Sequence, residues 1–407
     1  MRKQNGPDPD LEERIRRTNA LACLDCGKCT SVCPVSLFGR NSHSSGQYSP
    51  RVILTRAVRR DYNSLFEDYR LWSCLTCKKC DQVCPSDIRY LDLMYTLRSS
   101  ARGSGLKSGG CTHSGALDAL STLMTAENLK QNRLEWVTDD LQVSSEGEVL
   151  YFVGCAPYFD AFFTDLDLST LEAARSSIKI LNALDISPVL LPDERCCGHD
   201  LYWNGDVEHF KILADHNVSR IKGNGVRTVL FSCAECLSAF KNLYPAQGYD
   251  LDVEFKHMSQ FLAEKVESGE IKMKDARQVY TYQDPCRLGR HLGIYDEPRR
   301  VLSHGSSENG GPSSAFHEMR HTRKQSLCCG VSAWMNCDVN AKSIQMERLR
   351  QANDTGADVL AVACPKCQIH LICTLKDKTL QEGYEIKIQD IASVALERMK
   401  QRESPNR

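Results

Sequence analysis

Twenty-one of the 407 residues are cysteine, and their spacing carries the chemistry of this chain. Cys23, Cys26, Cys29 and Cys33, followed by Pro34, read C-x2-C-x2-C-x3-C-P. Cys74, Cys77, Cys80 and Cys84, followed by Pro85, repeat the pattern 51 residues later. This is the run of the bacterial two-cluster ferredoxins, in which the fourth cysteine ligates the other [4Fe–4S] cluster. Three closely spaced thiolates can wrap three irons of one cube, while the fourth, turned by the proline, is aimed at the neighbouring cube. The spacing therefore predicts one cubane on Cys23, Cys26, Cys29 and Cys84, and another on Cys74, Cys77, Cys80 and Cys33. Zinc also takes C-x2-C pairs, but it wants four ligands in two pairs, and each run here is a triplet plus one.

Ten further cysteines lie in an internal repeat. Cys155, Cys196, Cys197, Cys233 and Cys236 recur as Cys286, Cys328, Cys329, Cys364 and Cys367, at offsets of 131 or 132 residues. Each half thus holds a lone cysteine, a Cys-Cys-Gly and a C-x2-C. Adjacent cysteines on a regular strand would face opposite ways, so the Cys-Cys-Gly segments are expected to be irregular loops. Gly198 and Gly330 let the backbone turn where a Cβ would collide. Five thiolates exceed the four external ligands of an ordinary cubane, so either one is spare or the cluster is unusual.

The elements that must deliver these residues alternate in type. Strand-like runs at 148–153 and 279–282 precede the lone cysteines, and others at 228–232 and 359–363 precede the C-x2-C pairs. Helical stretches lie between them at 168–184 and 340–353. Strand–helix alternation predicts α/β units with parallel sheets, and ligands of such sheets sit at the carboxyl ends of the strands. Helix N-termini there offer amide N–H groups to anionic sulfur. Further upstream, Ser49-Pro50 is a cap and first-turn signal for a helix through Val58, and a second helical pattern runs over 61–74. Helices between the two cysteine runs suit an α-helical ferredoxin module better than a compact two-hairpin one. The stretch Gly103–Gly110 breaks the pattern.

The doubled five-cysteine unit resembles the B subunit of heterodisulfide reductase, and the upstream helical module resembles the C subunit of that enzyme. The phrases CLDCGKCTSVCP, DPCRLGR, CCG and CPKC carry the resemblance, which covers nearly the whole chain. It implies a C–B fusion of α+β multidomain class: an N-terminal α-helical ferredoxin at 1–104, a linker at 105–146, and two repeated α/β CCG-type domains at 147–273 and 274–407. It implies that each five-cysteine unit ligates a noncubane [4Fe–4S] cluster, beside the two cubanes. The same layout occurs in the iron–sulfur subunits of glycolate, glycerol-3-phosphate and lactate dehydrogenases. In several of those a cysteine unit is incomplete, whereas both units here keep all five cysteines, which favours the disulfide-reducing type.

The function this implies is that of an iron–sulfur electron-transfer and catalytic component in a heterodisulfide-reductase-like complex. The donor would be a flavin-containing iron–sulfur protein resembling the A subunit of that enzyme, feeding electrons singly through the cubanes to the paired noncubane clusters. There a disulfide or similar acceptor would be reduced. The alternative is a non-catalytic conduit serving other redox subunits, in a hydroxy-acid dehydrogenase or acyl-CoA-type complex.

Several other residues near the cysteines could act. His199 follows the first Cys-Cys-Gly and could deliver a proton to a thiolate; His291 and His370 also lie near ligand candidates. Lys366, inside CPKC, could counter cluster charge or attract an anionic substrate. Trp203 and Trp334 follow the two Cys-Cys-Gly segments at similar distances and could shield them from water. Cys111, Cys337 and Cys373 read as non-ligands, Cys373 as core packing.

Composition excludes other classes. Fifty-one basic against 52 acidic residues give a net charge of −1, without the basic excess of a nucleic-acid binder. No run approaches the ~20 apolar residues of a membrane span, and the polar N-terminus lacks a secretory signal, so a cytoplasmic, thiol-reducing location is expected. The glycine clusters at 223–225 and 305–311 read as loops, and no G-x-G-x-x-G follows a strand, so no flavin or nicotinamide site is expected in this chain.

Overall fold

A computed structural model describes residues 10–39, 48–107, 112–305, 315–379 and 383–400. The chain divides into two compact units, and neither is continuous in sequence. Unit 1 comprises Met1–Leu129, Gly198–Leu213 and Leu327–Met346; unit 2 comprises Lys130–Cys197, Ala214–Ser326 and Glu347–Arg407. The segments that follow each Cys-Cys therefore belong with the N-terminal helices, whereas the contiguous boundaries expected from sequence keep them within their repeats.

Unit 1 is helical. Pro50–Val58 starts on Ser49, whose backbone is extended, and takes Pro50 into its first turn, where the missing N–H is not needed. Tyr62–Glu67 and Arg70–Ser73 follow, so the single helical pattern over 61–74 is two short helices. The longest helix of the ferredoxin region, Tyr90–Gly103, buries Leu93, Met94, Leu97 and Ala101 against Leu11–Arg17 and Pro50–Val58. It also buries Arg98 completely. The Arg98 guanidinium donates to the carbonyls of Leu71 (3.1 Å), Cys74 (2.9 Å) and Trp203 (2.9 Å), which satisfies a charge that would otherwise be costly to bury. Gly205, at φ +83°, lies so close that a Cβ there would stand 2.5 Å from the Arg98 backbone. Thr76 and Ser332 share a hydroxyl hydrogen bond of 2.9 Å, and Asn336 donates to the Trp72 carbonyl at 3.1 Å. These bonds tie both post-Cys-Cys segments into the unit. The stretch read as a linker carries a helix, Ala116–Leu123.

Unit 2 holds two three-stranded parallel sheets. The first pairs β1 (Val149–Phe152), β2 (Thr228–Phe231) and β3 (Glu254–His257); the second pairs β4 (Tyr280–Tyr282), β5 (Val359–Val362) and β6 (Lys387–Asp390). Val149 aligns with Thr228 and Glu254, and Tyr280 aligns with Val359 and Lys387, so the repeat seen in the cysteines recurs in the strand register. β2 and β5 are buried almost throughout, as central strands covered on both faces must be. The third strand of each sheet, EFKH and KIQD, is not legible in the sequence because charged residues interrupt its apolar pattern. Helices Thr170–Asn182 and Ile391–Arg398 pack together, with Ser176 and Ser393 joined by a 3.1 Å hydroxyl hydrogen bond.

Candidate metal centres

Two cavities in unit 1 are lined by the ferredoxin-type cysteines. The first is bordered by Cys23, Cys26, Cys29 and, from the other run, Cys84. The second is bordered by Cys33 together with Cys74, Cys77 and Cys80, and by Tyr48 and Tyr90, whose hydroxyls lie 3.0 Å apart. Cys80 also touches the first cavity. The two loops share a backbone. Asp25 and Thr76, each two residues after the first cysteine of its run, have positive φ and donate their N–H to that cysteine's Sγ at 3.4 Å. Gly27 and Lys78, two residues further on, also have positive φ. Such backbone holds amides inward around a bound anion-rich group.

The two cavities differ in exposure. Cys26 is exposed and Cys23, Cys29 and Cys84 are half-buried, whereas Cys33, Cys74, Cys77 and Cys80 are all buried. Burial, then the nearby Cys77, pushes the Cys33 thiol up to about 12, and burial raises Cys80 and Cys74 as well. Four buried thiols held together ionise readily only when a cation takes their charge, because a coordinating thiol is deprotonated outright. The donor set fits an all-thiolate iron–sulfur cluster in each cavity.

In unit 2 the first repeat gathers its five cysteines. Cys155 ends the loop after β1 at the start of helix Ala156–Phe162, and Cys233 follows β2 at the start of Ala234–Ser238, which carries Cys236. Cys196 and Cys197 lie in an irregular segment, as expected. The Cys155 and Cys196 sulfurs are 3.5 Å apart. Cys197 hydrogen-bonds Cys196 and Cys236, and Cys236 hydrogen-bonds Cys233. Gly154, at φ +68°, leaves room for this cluster of sulfurs, since a Cβ there would be 3.0 Å from the Cys236 Sγ.

Three residues that sequence reasoning missed hold this site. Glu194 is buried and accepts from the N–H groups of Val153 (3.1 Å) and Gly154 (2.8 Å); its carboxylate pairs with Arg133, itself buried and also bonded to the Gly154 carbonyl. Asn217 accepts from the Arg195 N–H (3.1 Å) and donates to the Cys196 carbonyl (3.0 Å), which pins the irregular segment. The acid directly before Arg195-Cys196 was a visible signal for Glu194. Nothing local marked Arg133 or Asn217.

The second repeat is distributed between the units, with Cys286, Cys364 and Cys367 in unit 2 and Cys328 and Cys329 in unit 1. Cys364 stands at the start of helix Pro365–Leu375, as Cys233 stands at its own helix start. It hydrogen-bonds Cys367, and it also hydrogen-bonds Cys233 of the first repeat. Around Cys286, the DPCRLGR segment is held by Asp284, which forms a two-oxygen pair with Arg299 (2.8 and 2.9 Å), and by Arg290, which donates to the Ser326 carbonyl at 2.7 Å. In unit 1, Gln345 donates to the Cys329 carbonyl at 3.1 Å, the role Asn217 has for Cys196. Gly330, at φ +86°, would set a Cβ 2.8 Å from the Ala341 carbonyl.

The remaining candidates separate. His199 is buried with Nδ1 3.1 Å from Asp200, and the Arg287 guanidinium lies 2.7 Å from His291 Nε2. His370 and both Trp203 and Trp334 are buried. Lys366 is buried with its ammonium 2.8 Å from the Glu235 carboxylate, so its charge already has a partner. Cys373 is half-buried and Cys337 exposed, while Cys111 lies outside the described residues. Gly223–Gly225 closes the helix Val207–Lys222, and most of 305–311 lies outside the described residues. Among the described residues no helix is long and apolar enough to cross a membrane.

The comparisons with known proteins agree with this architecture. A 4Fe-4S dicluster domain matches residues 19–88, and a cysteine-rich domain matches twice, at 149–241 and 280–372. Fold and thiol sites together define an iron–sulfur electron-transfer component of an oxidoreductase. The D subunit of the dihydromethanophenazine:CoB–CoM heterodisulfide reductase of Methanosarcina acetivorans is 31% identical over 379 residues, spanning 86% of this chain and 88% of that one. The chain belongs to the family formed by that heterodisulfide reductase component and related CCG iron–sulfur proteins. The B subunit of the fumarate reductase (CoM/CoB) of Methanothermobacter marburgensis is 27% identical, over 91% of this chain and 70% of that one. A hypothetical protein from Helicobacter pylori has a similar fold, with a TM-score of 0.54 at 11% identity, covering 97% of this chain and 77% of that one.

Proposed function

We propose that the chain takes electrons one at a time at the first unit 1 cavity and delivers them to paired five-cysteine sites where a disulfide is reduced. The ligand sets would be Cys23, Cys26, Cys29 and Cys84; Cys33, Cys74, Cys77 and Cys80; and the two repeats of five. The observation that carries the reading is the contact between Cys233 and Cys364. It sets the C-x2-C of one repeat against that of the other, so two metal sites there would be close enough to act on one S–S bond. Bound clusters would supply one-electron exchange.

The exposure and bonding of the chain's own residues support an order for that exchange. The exposed Cys26 suits contact with a donor, and the buried second cavity suits an interior relay. Arg98 bonds the Cys74 carbonyl to the Trp203 carbonyl, and Thr76 bonds Ser332, so the second cavity is joined to both post-Cys-Cys segments. Two electrons and two protons convert a disulfide to two thiols, so a one-electron donor must deliver twice. The donor is proposed to be a flavin-containing iron–sulfur protein, and the place of action the cytoplasm.

The test is Cys197→Ser, with Cys329→Ser as its counterpart in the second repeat. Four clusters require about sixteen irons per chain in the anaerobically purified wild type. Each variant is expected to keep more than about three-quarters of that iron, because four thiols remain at the altered site, yet to lose at least about 90% of dye-driven disulfide reduction. Unchanged activity and spectra in both variants would sink the five-thiolate reading. A wild type that reduces no disulfide but passes electrons to a partner enzyme would establish the conduit instead.

A further inference from the structure

Residues at equivalent places in the two repeats meet their own counterparts. Cys233 and Cys364 correspond across the 131-residue offset, and so do Glu235 and Lys366, and Cys236 and Cys367. The Cys233 and Cys364 side chains hydrogen-bond each other, and the Glu235 carboxylate lies 2.8 Å from the Lys366 ammonium. A residue that contacts its own equivalent lies on an approximate two-fold relation, the geometry of an isologous interface. At such a position identical charges would repel, and a pair of opposite charge is the choice that lets the loops close. The side chains are only 12% and 6% exposed, so the pair is little screened by solvent.

The two loops are otherwise alike. Each presents a cysteine at a helix start after the central strand of its sheet and a second cysteine three residues later. The charge between those cysteines is the difference. Glu235 lies between Cys233 and Cys236 and sets an anion beside their thiols. Lys366 puts a cation at the same place in the other loop.

We propose that Glu235 and Lys366 clamp the two C-x2-C loops together and make the paired sites electrically unequal, so that the site served by Cys364 and Cys367 takes the first electron. This rests on the reading that both five-cysteine sets hold clusters. The electron comes from the ferredoxin-type sites, and the step itself forms and breaks no bond. Glu235 and Lys366 act through the cysteine loops and are positioning residues.

The full chain is purified anaerobically as wild type, Glu235→Gln, Lys366→Gln and the exchanged Glu235→Lys/Lys366→Glu. Iron per chain is measured, and the two sites are titrated by potential under magnetic resonance, with signals assigned through Cys197→Ser and Cys329→Ser. Lys366→Gln is expected to move the second-repeat site to a more negative potential, and Glu235→Gln to move the first-repeat site to a more positive one. The exchanged variant should keep its iron and reverse the order of reduction. Single variants that lose iron or fail to fold, with the exchanged pair restored, also support the clamp. An exchanged pair that does not fold, or potentials indifferent to all three variants in a chain with about sixteen irons, overturns the clamp alone. A wild type holding only about eight irons overturns the cluster reading itself.

Discussion

At the scale of single residues, the cysteines that are distant in sequence decide the ferredoxin-type sites. Cys33 lies four residues from Cys29, yet it borders the cavity of Cys74, Cys77 and Cys80. Cys33→Ser is therefore expected to remove the cluster of the buried cavity and spare that of Cys23, Cys26 and Cys29. Magnetic resonance of the reduced variant checks this, and loss of the exposed cluster instead would refute the crossed arrangement. The C-P ending of each run already predicts this crossing. Lys366 shows the opposite case. From the sequence it reads as a cation able to meet a substrate, whereas its carboxylate partner lies 131 residues away.

At the scale of elements, close backbone approach and capping set the local stability. Gly205→Ala would place a Cβ 2.5 Å from the backbone of Arg98 at a residue already in the left-handed region, whereas Gly225, also left-handed at φ +64°, has nothing within 4 Å. Gly225→Ala is expected to cost about 1 kcal/mol and Gly205→Ala at least about 3 kcal/mol, the excess being steric. Anaerobic denaturation compares the two, and equal losses would show that the Arg98 contact is not tight.

Helix Met258–Glu267 is capped by the fully buried His257, whose Nδ1 accepts from the Ser259 N–H at 3.1 Å. Burial lowers His257 to about 4 from 6.5. The folded state thus releases a proton that the unfolded state keeps, and stability falls as pH drops from about 6.5 towards 4. Between pH 7.5 and 5.5 this group is expected to remove about 1.4 kcal/mol. His257→Asn keeps a capping acceptor without the titration, so its stability should fall less over that interval, and parallel curves for the two proteins would dismiss the histidine as the cause.

At the scale of the whole molecule, the repeat was legible because each half must build the same ligand loop with the same strands. The five offsets stayed within one residue, and β1, β2, β4 and β5 fell where apolar runs led into cysteines. The division into units was not legible. It depends on bonds between residues a hundred or more positions apart, such as Arg98 to Trp203 and Thr76 to Ser332, and no local pattern announces a carbonyl that will accept a buried guanidinium. The same holds for Arg133, which lies in a stretch read as a linker and ends buried against Glu194.

The sequence by itself determined which atoms could hold a metal group: thiols at spacings that only a few such groups accept, on strands and helices whose periods are local properties of the chain. Tertiary structure alone decided how the two repeats meet. It put Cys233 against Cys364 and Glu235 against Lys366. Spacing along a chain sets what one loop can hold, while contact between loops depends on how whole sheets and helices bury their apolar faces, and that balance is struck by the entire fold.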